Sequence, residues 1–181
     1  MKLRRIAALF FALALALVTL TVPAAAIEDI EIEATAVLLL DGESEAVLFE
    51  ENAHERRYPA STTKIMTALL VLEALDRGEV TLKDSVQVSR TAAAMKGSQA
   101  LLDANATYSL EDLLRTTIMA SANDSAVALA EYLCGSEEAF VARMNERAAQ
   151  LGMQDTHFVN CTGLDDDPDA AQHLTCAADI A

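Results

Sequence analysis

Cations are scarce in this 181-residue chain: 13 Lys and Arg face 28 Asp and Glu, for a formal net charge of −15. Three of those cations, Lys2, Arg4 and Arg5, sit in residues 1–26, where there is no acid, so the remaining chain carries −18. Nucleic-acid binding needs clustered Lys and Arg, and a surface of this sign repels phosphate, so that role is excluded. Cysteine and histidine are equally thin. Cys134, Cys161 and Cys176 include no Cys-x-x-Cys pair, and His54, His157 and His173 lack His-x-x-x-His spacing. Zinc sites commonly draw ligands from such pairs, so metal catalysis is not expected and the histidines read as structural. An odd number of cysteines permits one disulfide at most, with the pairing left open. No internal repeat or low-complexity segment follows the leader.

What is present begins with that leader. An apolar run over residues 6–22 follows the basic start, and Ala24-Ala25-Ala26 supplies the small-x-small pattern of a signal-peptidase site. Residues 1–26 therefore read as a signal peptide; if retained, the run is about long enough to span a bilayer. Either way, residues 27–181 are expected to work outside the cytoplasm.

Residues 27–33 alternate acidic and apolar side chains, as in a linker or first edge. Residues 34–40 form a short apolar run, expected to be a buried strand that turns at Asp41-Gly42-Glu43-Ser44-Glu45 and returns over residues 46–50. Pro59 and Ser61 open a stretch that predicts a helix from about residue 61 to Arg77, stopped by Gly78. Ile65, Ala68, Leu69, Leu72 and Leu75 share helical spacing there and are expected to bury it. Val86-Gln87-Val88 is a candidate strand, and residues 91–97 an alanine-rich turn or short helix in which Met95 packs. Ser109-Leu110-Glu111-Asp112 has the form of a capping box and predicts a helix over 110–120, with Leu113, Leu114, Thr117 and Ile118 on its apolar side. The pattern breaks at Ser121-Ala122-Asn123, resumes over 124–133, and a further helix capped by Ser136 runs to Leu151. Beyond it, residues 156–164 read as an extended piece turning at Thr162-Gly163. Asp165, Asp166, Asp167 and Asp169 surround Pro168 in a solvated acidic loop without EF-hand spacing, and Thr175 caps a last helix.

Ser61 and Lys64 stand three residues apart, on one face of their helix. A serine hydroxyl becomes a nucleophile when a base takes its proton, and a lysine whose pKa is lowered by burial can be that base. A helix cap followed by a solvated lysine would show the same spacing. Ser121-Ala122-Asn123 offers a second hydroxyl to shuttle a proton and an amide to hold Lys64 or a substrate carbonyl. The same three residues would also serve simply as a cap before Asp124. Acyl transfer needs such a set: nucleophile, base, a proton donor for the leaving amine and donors for the oxyanion.

Pro59-Ala60-Ser61-Thr62-Thr63-Lys64-Ile65-Met66-Thr67 resembles the active-site signature of the low-molecular-weight penicillin-binding proteins, the serine-type D-alanyl-D-alanine carboxypeptidases. Their superfamily shares Ser-x-x-Lys, Ser-x-Asn and Lys-Thr-Gly motifs. Ser109-Leu110-Glu111-Asp112-Leu113-Leu114, the segment from Ser121 to Glu131, and Phe158-Val159-Asn160-Cys161-Thr162-Gly163-Leu164 look like that family too, in its order, so the resemblance spans residues 34–181. It implies an α+β fold of the β-lactamase and penicillin-binding transpeptidase type: an antiparallel sheet flanked by helices, with a helical subdomain carrying Ser121-Ala122-Asn123 over the cleft. It implies removal of the terminal D-alanine from peptidoglycan stem peptides through an acyl-enzyme on Ser61. Lys64 would be the proton acceptor, Ser121 part of the proton path, Asn123 the substrate clamp and the Ser61 N–H an oxyanion donor. β-lactams would trap the acyl-enzyme, and no cofactor is implied.

Three departures stand out. No Lys-Thr-Gly occurs, and Lys96-Gly97-Ser98 precedes Ser121-Ala122-Asn123 and cannot replace it. In the family that motif lies on a late strand and supplies a cation for the substrate carboxylate. Residues 27–181 are therefore expected to be the N-terminal part of the catalytic domain without its C-terminal strands, poorly stable and with apolar sheet surface uncovered. Cys161 stands where the family usually has proline, and the Asp41-Gly42 turn differs from its usual hairpin; both changes are expected to be local. The alternative reading is a non-catalytic cell-wall or β-lactam-binding remnant. A class A β-lactamase fits less well, because no Glu-x-x-x-Asn pattern follows the second motif. A peripheral membrane anchor in a longer form stays open.

Overall fold

The computed structural model describes residues 32–165 and 169–181. The leader expected in residues 1–26, most of the linker, and Asp166, Asp167 and Pro168 of the acidic loop lie outside the described residues. The main compact unit, Thr35–Ala181, is α+β, with two small antiparallel sheets and a block of helices.

The expected hairpin forms from β1 (Val37–Leu40) and β2 (Val47–Glu51), with Val37 opposite Glu51 and Leu39 opposite Phe49. Asp41 closes its turn: the carboxylate accepts from the Ser44 N–H and the Ser44 hydroxyl, each at 2.7 Å. The expectation that the first strand is buried is corrected. Leu39 is 50% exposed, and Val47 and Leu48 lie in solvent as well. An apolar run signals burial on both faces only where a layer covers each, and among the described residues this sheet has two strands.

A 3₁₀ turn, Ala60–Thr62, leads into α1 (Thr63–Asp76), so the α-helix begins two residues after Ser61. Arg77 ends it, and Gly78 takes φ +68°. Nearly every position of α1 is apolar or small, so spacing does not select a face. The fold buries Met66, Ala68, Leu70, Val71 and Ala74 and leaves Ile65 55% and Leu72 49% exposed. Of the stripe expected to be buried, Ile65 and Leu72 are therefore corrected, while Leu69 and Leu75 are half-buried.

The expected strand at Val86 is β3 (Ser85–Gln87), and it pairs with β4 (Thr107–Ser109), Val86 opposite Tyr108. β4 has no pattern of its own in the sequence, since its last residue is also a helix cap. α2 (Arg90–Ala93) follows β3, and Met95 packs on the core as expected. The helical block comprises α3 (Leu110–Met119), α4 (Asn123–Cys134) and α5 (Glu137–Leu151). Ser109 Oγ accepts from the Asp112 N–H at 3.1 Å and donates to its carboxylate at 2.6 Å; Ser136 Oγ accepts from the Ala139 N–H at 3.1 Å. Such caps satisfy donors that the first turn leaves open. Ile118, expected on the apolar side of α3, is exposed instead. Leu110, Leu113, Val127, Leu129, Phe140 and Met144 are sealed between these helices and α1.

Beyond α5 the chain is irregular. Backbone bridges join His157 to Leu174 and Arg57 to Thr175, drawing the last segment across to the loop after β2. The cap of α6 (Ala177–Ile180) is Cys176, whose Sγ accepts from the Asp179 N–H at 3.4 Å. The expectation of a Thr175 cap is corrected: its hydroxyl bonds to that of Thr156 at 2.7 Å. The three cysteines are free thiols. Among the described residues no helix is long and apolar enough to cross a membrane. Phe158, fully buried with its ring 5.8 Å from that of His173, ties this irregular segment to the core. Phe158→Ala is expected to lower stability by about 3–5 kcal/mol, read as a lower urea midpoint at unchanged slope.

Candidate active site

Ser61 sits in the 3₁₀ turn and Lys64 in the first turn of α1. Lys64 Nζ lies 3.4 Å from Ser61 Oγ. The turn is held from two sides. Ala60 takes φ +45°, and its carbonyl presses against Gly163, where an added Cβ would stand 1.8 Å from the Ala60 oxygen. Gly163 itself has φ +83°, so the position demands glycine twice over. On the other side, Thr63 Oγ1 is 2.8 Å from His173 Nε2, while His173 Nδ1 accepts from the Val159 N–H at 3.1 Å. An accepting Nδ1 makes Nε2 the protonated nitrogen, donating to Thr63. His173 is thus structural, as expected.

Lys64 is 5% exposed, and among the described residues no carboxylate pairs with it. Its Nζ donates to the Thr162 carbonyl at 2.7 Å. Burial pushes its pKa below the ordinary lysine range, and the nearby Cys161 sulfur acts weakly in the opposite direction. A neutral amine that gives one N–H to Thr162 keeps a lone pair for the Ser61 proton.

The Thr162 carbonyl is aimed by residues that spacing did not single out. Asn160 Oδ1 accepts from the Thr162 N–H at 3.1 Å, the Thr162 hydroxyl at 3.2 Å and the Gly163 N–H at 2.7 Å, and its Nδ2 donates to the Leu164 carbonyl at 2.9 Å. Cys161, between them, donates its N–H to Glu137 Oε1 at 3.0 Å and accepts from Thr67 Oγ1 at 2.7 Å. A proline at 161 could not donate, so the cysteine adds a tie to α5 and leaves the Lys64 contact in place. The Asn-x-Thr-Gly turn was readable as a turn; its partner 98 residues away was not.

Ser121 stands between α3 and α4 with φ +55°, a region costly for any residue with a Cβ. Its Oγ is buried and has no hydrogen-bond partner among the described residues. With Ser61 and Lys64 it lines a cavity of about 390 Å³, whose remaining wall is Ile65, Ala68, Leu69, Leu72, Thr117 and Ile118. Three of the four predicted site residues therefore meet at one largely apolar cavity. Asn123 does not line it. It is buried, its N–H donates to the Ser98 carbonyl at 2.8 Å and its Nδ2 to the Lys96 carbonyl at 2.7 Å. Asn123 is expected to hold Lys64 or a substrate carbonyl; in the structure its amide is turned to the 96–98 loop. Asp124 fastens the same loop, accepting from the Ala100 and Leu102 N–H groups at 2.9 and 3.1 Å.

Against known proteins, a family model described as D-alanyl-D-alanine carboxypeptidase, peptidase S11, matches residues 21–181. The D-alanyl-D-alanine carboxypeptidase DacF of Bacillus subtilis is 42% identical over 149 residues, covering 82% of this chain and 37% of that protein. Among solved structures, the D-alanyl-D-alanine carboxypeptidase DacD of Francisella tularensis superposes with a TM-score of 0.80 at 36% identity, over 84% of this chain and 36% of that one. Penicillin-binding protein D2 of Listeria monocytogenes, in its ampicillin-bound form, gives 0.68 at 31% identity over 84% of this chain and 60% of that one. The chain spans little more than a third of the length of the curated relative it matches.

Two outcomes test this geometry. A lysine pKa depressed in the folded state means that the unfolded chain binds more protons between that lowered value and 10.5, so stability rises with pH through that window. Lys64→Met is expected to flatten this rise relative to the unsubstituted chain in urea titrations at stepped pH. Asn160→Ala leaves the Thr162 and Gly163 N–H groups without their acceptor and is expected to cost about 1–3 kcal/mol in the same assay.

Proposed function

The chain belongs to the peptidase S11 family of D-alanyl-D-alanine carboxypeptidases, and from that premise we propose that Ser61 is acylated by D-alanyl-D-alanine termini of peptidoglycan stem peptides, with release of the terminal D-alanine. The observation that carries this reading is the buried Lys64, its Nζ 3.4 Å from Ser61 Oγ and held by the Thr162 carbonyl. The amine takes the Ser61 proton as Oγ attacks the peptide carbonyl, and the Ser61 N–H receives the developing oxyanion. Collapse breaks the C–N bond, and the proton passes through Ser121 to the leaving amine. Ser121 Oγ suits this task because its hydrogen-bonding capacity is unspent. Asn123 stays outside the cavity and holds the 96–98 loop beside it through the Lys96 carbonyl. Water then hydrolyses the ester.

β-lactams enter the same chemistry with a leaving amine that stays tethered, so the acyl-enzyme persists. The likeness to an ampicillin-bound penicillin-binding protein supports that extension. Peptidoglycan as substrate places the work outside the cytoplasm, in keeping with the leader read in residues 1–26. Among the described residues, Lys64 is the one cation lining the cavity, which favours a second reading in which this chain binds β-lactams or cell wall without turnover.

A fluorescent penicillin separates these outcomes. The chain is expected to be labelled covalently, the label to vanish in Ser61→Ala, and its rate to fall by about 10²–10⁴ in Lys64→Ala. The labelling rate should rise with pH and level off below 10.5, the ordinary lysine value. Absence of label would overturn the acylation claim. Label without D-alanine release from a stem pentapeptide would favour the non-catalytic reading, and rapid turnover of a chromogenic cephalosporin would favour a β-lactamase.

A further inference from the structure

Three segments far apart in sequence meet away from the Ser61 cavity: the loop after β2, the segment after α5, and the cap of α6. They bring together His54, Asp155 and Cys176, none of which lines that cavity. We propose that these three side chains form a binding site for a dication of the zinc class.

The donor atoms are one imidazole nitrogen, one carboxylate oxygen and one sulfur, all within 4.8 Å of one another. His54 Nδ1 and Asp155 Oδ2 are 3.8 Å apart. Tetrahedral zinc, with bonds of about 2.0–2.3 Å, sets its donors roughly 3.3–3.8 Å apart, so the widest pair has about 1 Å to close. His54 can supply that movement, because its side chain is 74% exposed and pairs with Asp155 itself. The same exposure gives the ion a way in. Imidazole with thiolate selects zinc, cobalt and their neighbours over magnesium and calcium, which prefer oxygen throughout.

The surrounding hydrogen bonds orient the donors. Arg56 Nε occupies Asp155 Oδ1 at 3.1 Å, leaving Oδ2 on the His54 side. The Asp155 N–H donates to Asp179 Oδ2 at 2.8 Å, and the Asp179 N–H donates to Cys176 Sγ at 3.4 Å. Such outer partners fix metal ligands in place. As the metal–sulfur bond forms, the Cys176 thiol releases its proton to solvent. Thiolate and Asp155 carboxylate then balance the two charges of the ion, with water completing the coordination. Because the thiol must give up its proton to the solvent, binding strengthens as pH rises. No local motif announces this site, because its ligands come from three separate segments. Once filled, it would staple the loop after β2 to the last helix.

The test is a cobalt(II) titration of the tag-free 181-residue chain. The expected result is a thiolate-to-cobalt charge-transfer band with visible bands of tetrahedral cobalt, displaced by zinc. Cys176→Ser should abolish the charge-transfer band, and His54→Ala should weaken binding by about tenfold or more. Cys134→Ser should leave both unchanged. Zinc should raise the melting temperature in proportion to the logarithm of its concentration, and His54→Ala should reduce that rise. His54 is exposed, so its variant keeps the proposal falsifiable even if Cys176→Ser fails to fold. No charge-transfer band in the unsubstituted chain, a zinc response unaltered in His54→Ala, or equal protection by calcium would overturn the proposal.

Discussion

The arrangement depends on one amine held out of water without a counter-charge. Lys64 donates to the Thr162 carbonyl, and among the described residues no carboxylate neutralises it. A carbonyl satisfies an N–H but does little for a full positive charge, so burial favours the neutral form. A paired carboxylate would have stabilised the ammonium and removed the base. The neutral acceptor thus leaves the Lys64 pKa lowered, and the surrounding turn places that acceptor. Asn160 shapes the turn, Gly163 lets it lie against the Ala60 carbonyl, and Thr67 and Glu137 hold the intervening Cys161.

Two backbone outliers flank the same cavity. Ala60 and Ser121 both adopt left-handed φ, and each adjoins or carries a hydroxyl that lines the cavity. Neither conformation would persist unless neighbours over-determined it. For Ala60 the constraint comes from Gly163 on one side and from the His173–Thr63 hydrogen bond on the other. For Ser121 it comes from the abrupt change of helix: the Ala122 N–H reaches back to the Thr116 carbonyl, while Asn123 and Asp124 bind the 96–102 loop. The break between α3 and α4 thus frees one hydroxyl and anchors one loop, and the two tasks fall on consecutive residues.

What the sequence made legible was local. Ser61 and Lys64 are three residues apart, and the Ser109 and Ser136 caps bond within their own first turns, so spacing alone reached them. The convergence of Ser121 on that pair came through family resemblance, since nothing in spacing sets where a helix break will sit. The rest depends on partners about a hundred residues away. Thr162 meets Lys64 across 98 residues and His173 meets Thr63 across 110, and neither residue has a neighbour in sequence that betrays the contact. The same holds for Asn123, whose amide serves the 96–98 loop. β4 and the Cys176 cap were lost for a different reason: each rests on a three- or four-residue element in which one residue performs two jobs.

The error on α1 is the most informative. Ile65 and Leu72 are expected in the core because they recur at helical spacing with Ala68, Leu69 and Leu75, yet they stand at the surface and, with Leu69 and Ile118, wall the cavity that holds Ser61, Lys64 and Ser121. Part of the stripe expected to pack in the core lines the cavity beside Ser61. That placement has an electrostatic consequence. A substrate covering these side chains removes further water from around the Lys64 amine, and a drier setting disfavours the ammonium more strongly. Any ligand seated on this wall would then lower the Lys64 pKa further.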